Sequence, residues 1–157
     1  MKKGLAFLIA TFFGAGKFPF APGTIGSLMT LPIAFALAYF WGVYGIVFGI
    51  VVSFFIGIIA TKEVLKYTSH DPAFIVIDEV AGQLMSFAFV AQYLQGNPKE
   101  WVIYLSGFVL FRFFDIFKPQ PVRWADRKIL NAWGVMLDDI IAGCYAALIL
   151  LIFYHLL

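Results

Sequence analysis

Apolar residues come in runs of roughly twenty along this chain, each ended by a short polar or glycine-proline break. Twenty apolar residues is about the length an α-helix needs to cross a bilayer. The first run extends from about Thr24 to Trp41 and the second from Val43 to Ala60, with Trp41-Gly42 as a tight bend between them. A third starts near Asp71-Pro72, where aspartate caps and proline suits the first helical position, and runs to about Leu94. Gln95-Gly96-Asn97-Pro98 reads as a turn cluster. The fourth run spans Pro98 to Phe117 and stops at Lys118-Pro119, and the fifth begins near Asp138 and continues to the C-terminus. Leu5 to Phe13 is apolar but too short to span, which suits a re-entrant or interfacial piece. Met-Lys-Lys followed by an apolar run also has the outline of a signal peptide, but no small-x-small cleavage site closes it. The pattern predicts an all-α, polytopic membrane helix bundle. It has about five transmembrane helices and a short N-terminal re-entrant or interfacial segment, all in one domain over residues 1–157.

Composition sharpens this picture. Of 157 residues, 62% are hydrophobic and 13% charged, against about 25% charged in soluble chains. No charged side chain occurs between Phe18 and Thr61. These residues cannot supply a polar skin, which excludes a cytosolic monomer, a nucleic-acid binder and a disordered tail. A net charge of +2 is too small to argue for a polyanionic partner. The one cysteine, Cys144, excludes an internal disulfide and a thiolate metal cluster, and its apolar surroundings suit a small buried side chain. Charge does fix an orientation. With a cytoplasmic N-terminus and alternating spans, the inner side holds Lys2, Lys3, Lys17, Lys62, Lys66, Lys118, Arg123, Arg127 and Lys128, and the outer side only Lys99.

The unusual polar residues then fall at one depth. Gly23, Thr24, Gly26 and Ser27 open span one; Asp78 and Glu79 lie early in span three; Arg112 and Asp115 lie late in span four; Asp138 and Asp139 open span five. A charge in the hydrocarbon centre costs about 2.5–3.5 kcal/mol on insertion scales, so this ring marks a site. Arg112, Asp115 and Lys118 share one helix face by their i, i+3, i+6 spacing. That alone would suit an intrahelical ion pair. Asp78, Glu79, Asp138 and Asp139 add four more carboxylates, however, and without a cation the five would repel. Oxygen ligands with neither histidine nor cysteine point to Mg²⁺, with Mn²⁺ or Ca²⁺ less suited. For Asp138 and Asp139 alone, helix capping is the competing explanation. Asp78-Glu-Val-Ala-Gly82 and Asp139-Ile-Ile-Ala-Gly143 each place glycine one turn beyond aspartate, which lets two helices approach closely. Pro22 to Ser27 offers free amides and two hydroxyls at a helix start, a ready anion site, preceded by the glycine-rich Phe13-Gly-Ala-Gly16.

Several of these blocks, taken in order, resemble the phosphatidylglycerophosphatase A family. They are Phe-Gly-Ala-Gly (13–16), Pro-Gly-Thr-Ile-Gly-Ser (22–27), Asp-Glu-Val-Ala-Gly (78–82), Phe-Arg-Phe-Phe-Asp-Ile-Phe-Lys-Pro (111–119), Pro-Val-Arg-Trp-Ala-Asp-Arg (121–127) and Asp-Asp-Ile-Ile-Ala-Gly (138–143). The resemblance extends from about Phe13 to Ala147. It implies Mg²⁺-dependent removal of the terminal phosphate of phosphatidylglycerophosphate, giving phosphatidylglycerol. It also implies a multi-pass protein of the cytoplasmic (inner) membrane whose active site faces the cytoplasm. On this reading Asp78, Glu79 and Asp139 hold Mg²⁺, and Asp138 or Asp115 ligates or serves as general base. Arg112, Lys118 and Arg123 clamp the phosphate, arginine being suited to bidentate contact, and Thr24 and Ser27 bind phosphate with nearby amides. Other phosphatase signatures are missing: no Cys-x5-Arg loop, no Asp-x-Asp, and no catalytic surroundings for His70 or His155. Attack by Mg²⁺-activated water is what remains. The alternative is a small membrane cation transporter or channel using the same carboxylates, disfavoured by the nearly pure apolar outer halves of the runs.

Overall fold

The computed structural model describes residues 1–68, 72–94 and 100–156. Asp71, the 95–98 turn cluster, Lys99 and His70 lie outside the described residues. All regular structure among the described residues is helical. Helix α1 spans Lys3–Ala10, α2 Pro22–Val64, α3 Ile77–Met85, α4 Ala91–Leu94, α5 Glu100–Phe117, α6 Val122–Lys128 and α7 Ala132–Leu156. A single 3₁₀ turn, Ala15–Lys17, follows α1.

Helix α2 is broken at Gly42, whose φ of 57° and ψ of −137° are non-helical. A Cβ on Gly45 would collide with the carbonyl of Leu37, and one on Gly49 would lie 2.7 Å from Leu37 Cδ1. In a straight helix, eight residues would separate Leu37 and Gly45 by about 12 Å, so the chain reverses at Gly42 and its two arms pack side by side. Such a conformation is open to glycine and costs other residues ~1–3 kcal/mol. Nothing lies within 4 Å of where a Gly42 Cβ would point. Gly42→Ala is therefore expected to lower stability by about that amount through the backbone alone, read as a drop in the melting temperature of the detergent-solubilised protein.

The third run departs from its expected form. The sequence predicts one helix from near Asp71-Pro72 to Leu94; α3 begins only at Ile77 and stops at Met85, and Ser86 to Val90 form successive turns before the single turn of α4. Gln83 and Ser86, both fully buried, explain the break. Ser86 Oγ donates to the Gln83 carbonyl at 2.6 Å and accepts from Gln83 Nε2 at 3.0 Å, a local bond that competes with the helical ladder. The fifth run departs too, since α7 begins at Ala132 rather than near Asp138. Asn131 Oδ1 accepts from the Trp133 amide at 2.8 Å, so the Asx side chain of Asn131 serves this end. Asp138 and Asp139 thus sit nearly two turns inside the helix, and the capping explanation for them falls.

The two arms of α2, α3 with α4, α5 and α7 occupy the places of the five expected spans. Of these helices, α2 and α7 are long and apolar enough to cross a membrane. Helix α5 has 18 residues but carries Glu100, Arg112 and Asp115. The core is apolar and shared by α2, α3, α5 and α7, with Ile46, Leu84, Phe87, Ile103, Met136 and Leu150 among its buried side chains. Helix α1 packs on α2, and the Val76 amide donates to the Ala10 carbonyl at 2.9 Å, tying the N-terminal segment to the entry of α3.

Candidate active site

The acids converge because of two glycines. A Cβ on Gly82 of α3 would lie 2.6 Å from the carbonyl of Asp139, and one on Gly143 of α7 would collide with the carbonyl of Gly82. Only bare backbones allow α3 and α7 to approach this closely. Asp78 and Asp139, one turn back on each helix, then face each other. Carboxylate oxygens of Asp78, Glu79 and Asp139 all lie within 4.8 Å of one another. Asp139 is also close enough to feel the carboxylates of Asp115, Asp138 and Asp78.

A third glycine shapes the other wall. A Cβ on Gly23, in the first turn of α2, would collide with Glu79 Oε1 and stand 3.3 Å from Arg112 Nη1. Arg112 Nη1 lies 2.8 Å from Asp115 Oδ2 and 3.8 Å from Glu79 Oε1, so it bridges the acids of α3 and α5. It also donates to Ser27 Oγ at 3.5 Å, and Ser27 in turn donates to the Gly23 carbonyl at 2.9 Å. Lys118 Nζ lies 2.7 Å from Asp138 Oδ2 and 2.6 Å from Asp126 Oδ1. Burial works to lower the Lys118 pKa, but the charge and hydrogen bonds of Asp138 and Asp126 outweigh it and raise it. Lys118 therefore stays a cation.

These groups enclose a cavity of about 240 Å³ lined by Ala21, Pro22, Gly23, Ala73, Ile75, Asp78, Glu79, Arg112, Asp115, Lys118, Asp138 and Asp139. Seven of the residues expected from the sequence meet there: Asp78, Glu79, Asp115, Asp138, Asp139, Arg112 and Lys118. Three do not line it. Thr24 is half-buried on α2, two residues past Pro22, with Ala21 in the N-cap position. Ser27 is fully buried and acts on Arg112 rather than on open space. Arg123 is exposed on α6 and donates to the Phe117 carbonyl at 3.4 Å. Asp126 is the functional candidate that sequence reasoning missed. Its signal was an acid inside an otherwise basic segment, eight residues from Lys118.

The donor set suits a divalent cation. Asp139 and Asp78 are 3% and 8% exposed, and Asp139 Oδ2 and Glu79 Oε2 are buried without a hydrogen-bond partner. Buried carboxylate oxygens left unpaired carry a large desolvation cost, which a hard cation with oxygen ligands removes. No ion is part of the structure. Carboxylates grouped beside an arginine and a lysine in one cavity make a helical protein of the kind a phosphatase would be. Residues 8–154 match the family model described as phosphatidylglycerophosphatase A, and the chain belongs to that family. It is 36% identical over 150 residues to phosphatidylglycerophosphatase A of Escherichia coli (strain K12), covering 94% of this chain and 83% of the relative. The Haemophilus influenzae protein of the same name is 35% identical over 143 residues, covering 90% and 84%. A Bacteroides thetaiotaomicron protein, provisionally named a phosphatidylinositol-3-phosphatase, is 35% identical over 150 residues, covering 93% and 91%. No solved structure matches the chain. Membership in a phosphatase family leaves the transporter alternative without support.

Proposed function

We propose that this chain hydrolyses the terminal phosphate monoester of phosphatidylglycerophosphate to phosphatidylglycerol and inorganic phosphate, using Mg²⁺. It does so as a multi-pass protein of the inner membrane, with the cavity open to the cytoplasm. The carrying observation is the trio Asp78, Glu79 and Asp139 within 4.8 Å, set beside Arg112 in a chain of this family. The apolar lengths of α2 and α7 and the inward bias of lysine and arginine support the membrane placement.

Asp78, Glu79 and Asp139 would hold the ion. A divalent cation there supplies Lewis-acid polarisation of the phosphoryl group and eases deprotonation of water. The remaining chemistry belongs to side chains. Arg112, aligned by Asp115 and Ser27, presents its guanidinium to phosphate oxygens, and Lys118 presents its ammonium. Asp138, whose Oδ1 is buried without a partner, or Asp115 would accept the proton of an attacking water. Helix α3 adds its own dipole, because Asp78 and Glu79 lie in its first turn, where the helix end favours anions.

Phosphate release from phosphatidylglycerophosphate in detergent micelles, with and without EDTA, tests the reading. Release that stops with EDTA and returns with Mg²⁺ is expected, with phosphatidylinositol 3-phosphate turned over more slowly. Release unaffected by EDTA would remove the metal, and absence of release from this substrate would remove the assignment.

A further inference from the structure

Lys118 stands at a strained point of the chain. Its backbone is left-handed, with φ 45°, and its amide donates to the Phe114 carbonyl at 2.9 Å. Pro119 behind it prevents α5 from continuing. Such a conformation is unusual for a lysine, and outliers of this kind persist where their surroundings over-determine them. The surroundings here are two carboxylates from different helices. Asp138, on α7, lines the cavity; Asp126, on α6, does not.

An ammonium has three N–H donors. With one tether it can pivot about that bond. Bonds of 2.6 and 2.7 Å to Asp126 and Asp138 use two donors and fix the direction of the third, on a side chain that itself lines the cavity. We propose that Asp126 is a positioning residue: by holding Lys118 from α6, it aims the remaining Lys118 N–H at the phosphate of the lipid substrate. The proposal rests on the lipid-phosphatase reading. Asp126 makes no contact with substrate in this role. Val122 and Ala125 bury the inner face of α6, so the helix keeps its seat when Asp126 loses its carboxylate.

The test uses full-length protein in detergent micelles, with phosphate release followed against phosphatidylglycerophosphate concentration. Asp126→Ala is expected to raise KM about tenfold, the scale of one charge-assisted hydrogen bond, with kcat changed less than about threefold. Asp126→Asn keeps an acceptor oxygen and should restore most of the wild-type KM. In a Lys118→Met background, Asp126→Ala should add nothing, because the two residues act as one unit. An unchanged KM in Asp126→Ala, or an equal rise in both backgrounds, overturns the proposal. Should Asp126→Ala melt early, Asp126→Leu, which keeps the side-chain shape without an acceptor oxygen, decides the same question in both backgrounds: a rise in KM present with Lys118 and absent in the Lys118→Met background supports it, and any other pattern overturns it. Wild-type protein that releases no phosphate is a different failure, since it overturns the phosphatase reading itself.

Discussion

Asp139→Asn is expected to reduce phosphate release by ~10²–10³-fold while leaving the protein at least as stable as before. The two halves of this result come from one geometry. Asp139 is 3% exposed, its Oδ2 lacks a hydrogen-bond partner, and the carboxylates of Asp115, Asp138 and Asp78 surround it. An ionised group in that position works against folding until a cation arrives. An amide of the same shape removes the repulsion and replaces one of the three carboxylates grouped within 4.8 Å with a neutral, weaker ligand. Thermal melting in detergent separates this from general damage. Millimolar Mg²⁺ should raise the melting temperature of the wild type by mass action and leave the variant unmoved. Wild-type turnover in Asp139→Asn would remove this residue from the chemistry.

Gly82→Ala should cost about 1–3 kcal/mol of stability, the range for over-packing a close-fitting interface, and more than tenfold in activity. Its new methyl would meet the Phe111 ring at 2.5 Å and the Asp139 carbonyl at 2.6 Å. The ring can turn, but the carbonyl belongs to the backbone of α7, so α3 and α7 must move apart. Displacement of catalytic groups by even an ångström costs on the order of a hundredfold, and the moving helices carry Asp78 and Glu79 on one side and Asp139 on the other. A melting curve and a phosphate-release assay check both effects. An unchanged pair of values would mean that close helix approach is not what assembles the cavity.

The parts of this architecture that were legible in the sequence are those where polarity is scarce. Seven charged residues inside otherwise apolar runs could be expected to meet, because isolated they are expensive, and all seven line one cavity. The reversal at Trp41-Gly42 was legible for a related reason: the apolar stretch around it exceeds one bilayer crossing, and glycine permits the turn. The break after Met85 was hidden. It depends on the hydrogen bond between Gln83 and Ser86, two residues that hydropathy averages into their neighbours. The start of α7 was misplaced because Trp133 to Leu137 carry no helix signal stronger than the acids that follow, while the Asn131 cap reads as an ordinary loop residue. Arg123 and Lys118 are equivalent as charges in a string of letters. Only the backbone turns Lys118 into the cavity and Arg123 toward the Phe117 carbonyl. Asp126 escaped notice for the converse reason, since a short helix had to fold back before its partner became visible.

The size of the cavity limits what it can recognise. At about 240 Å³ it falls below the ~300–1,000 Å³ of pockets that engulf a drug-sized molecule, and a phospholipid is larger still. Of a phospholipid, the polar tip alone would fit among the acids and cations, leaving the diacylglycerol portion outside. On the proposed reading the surrounding bilayer would serve as the missing wall of the binding site, holding the tails in fluid hydrocarbon while the protein reads only the head. An enzyme built this way would be indifferent to the fatty acids its host happens to make.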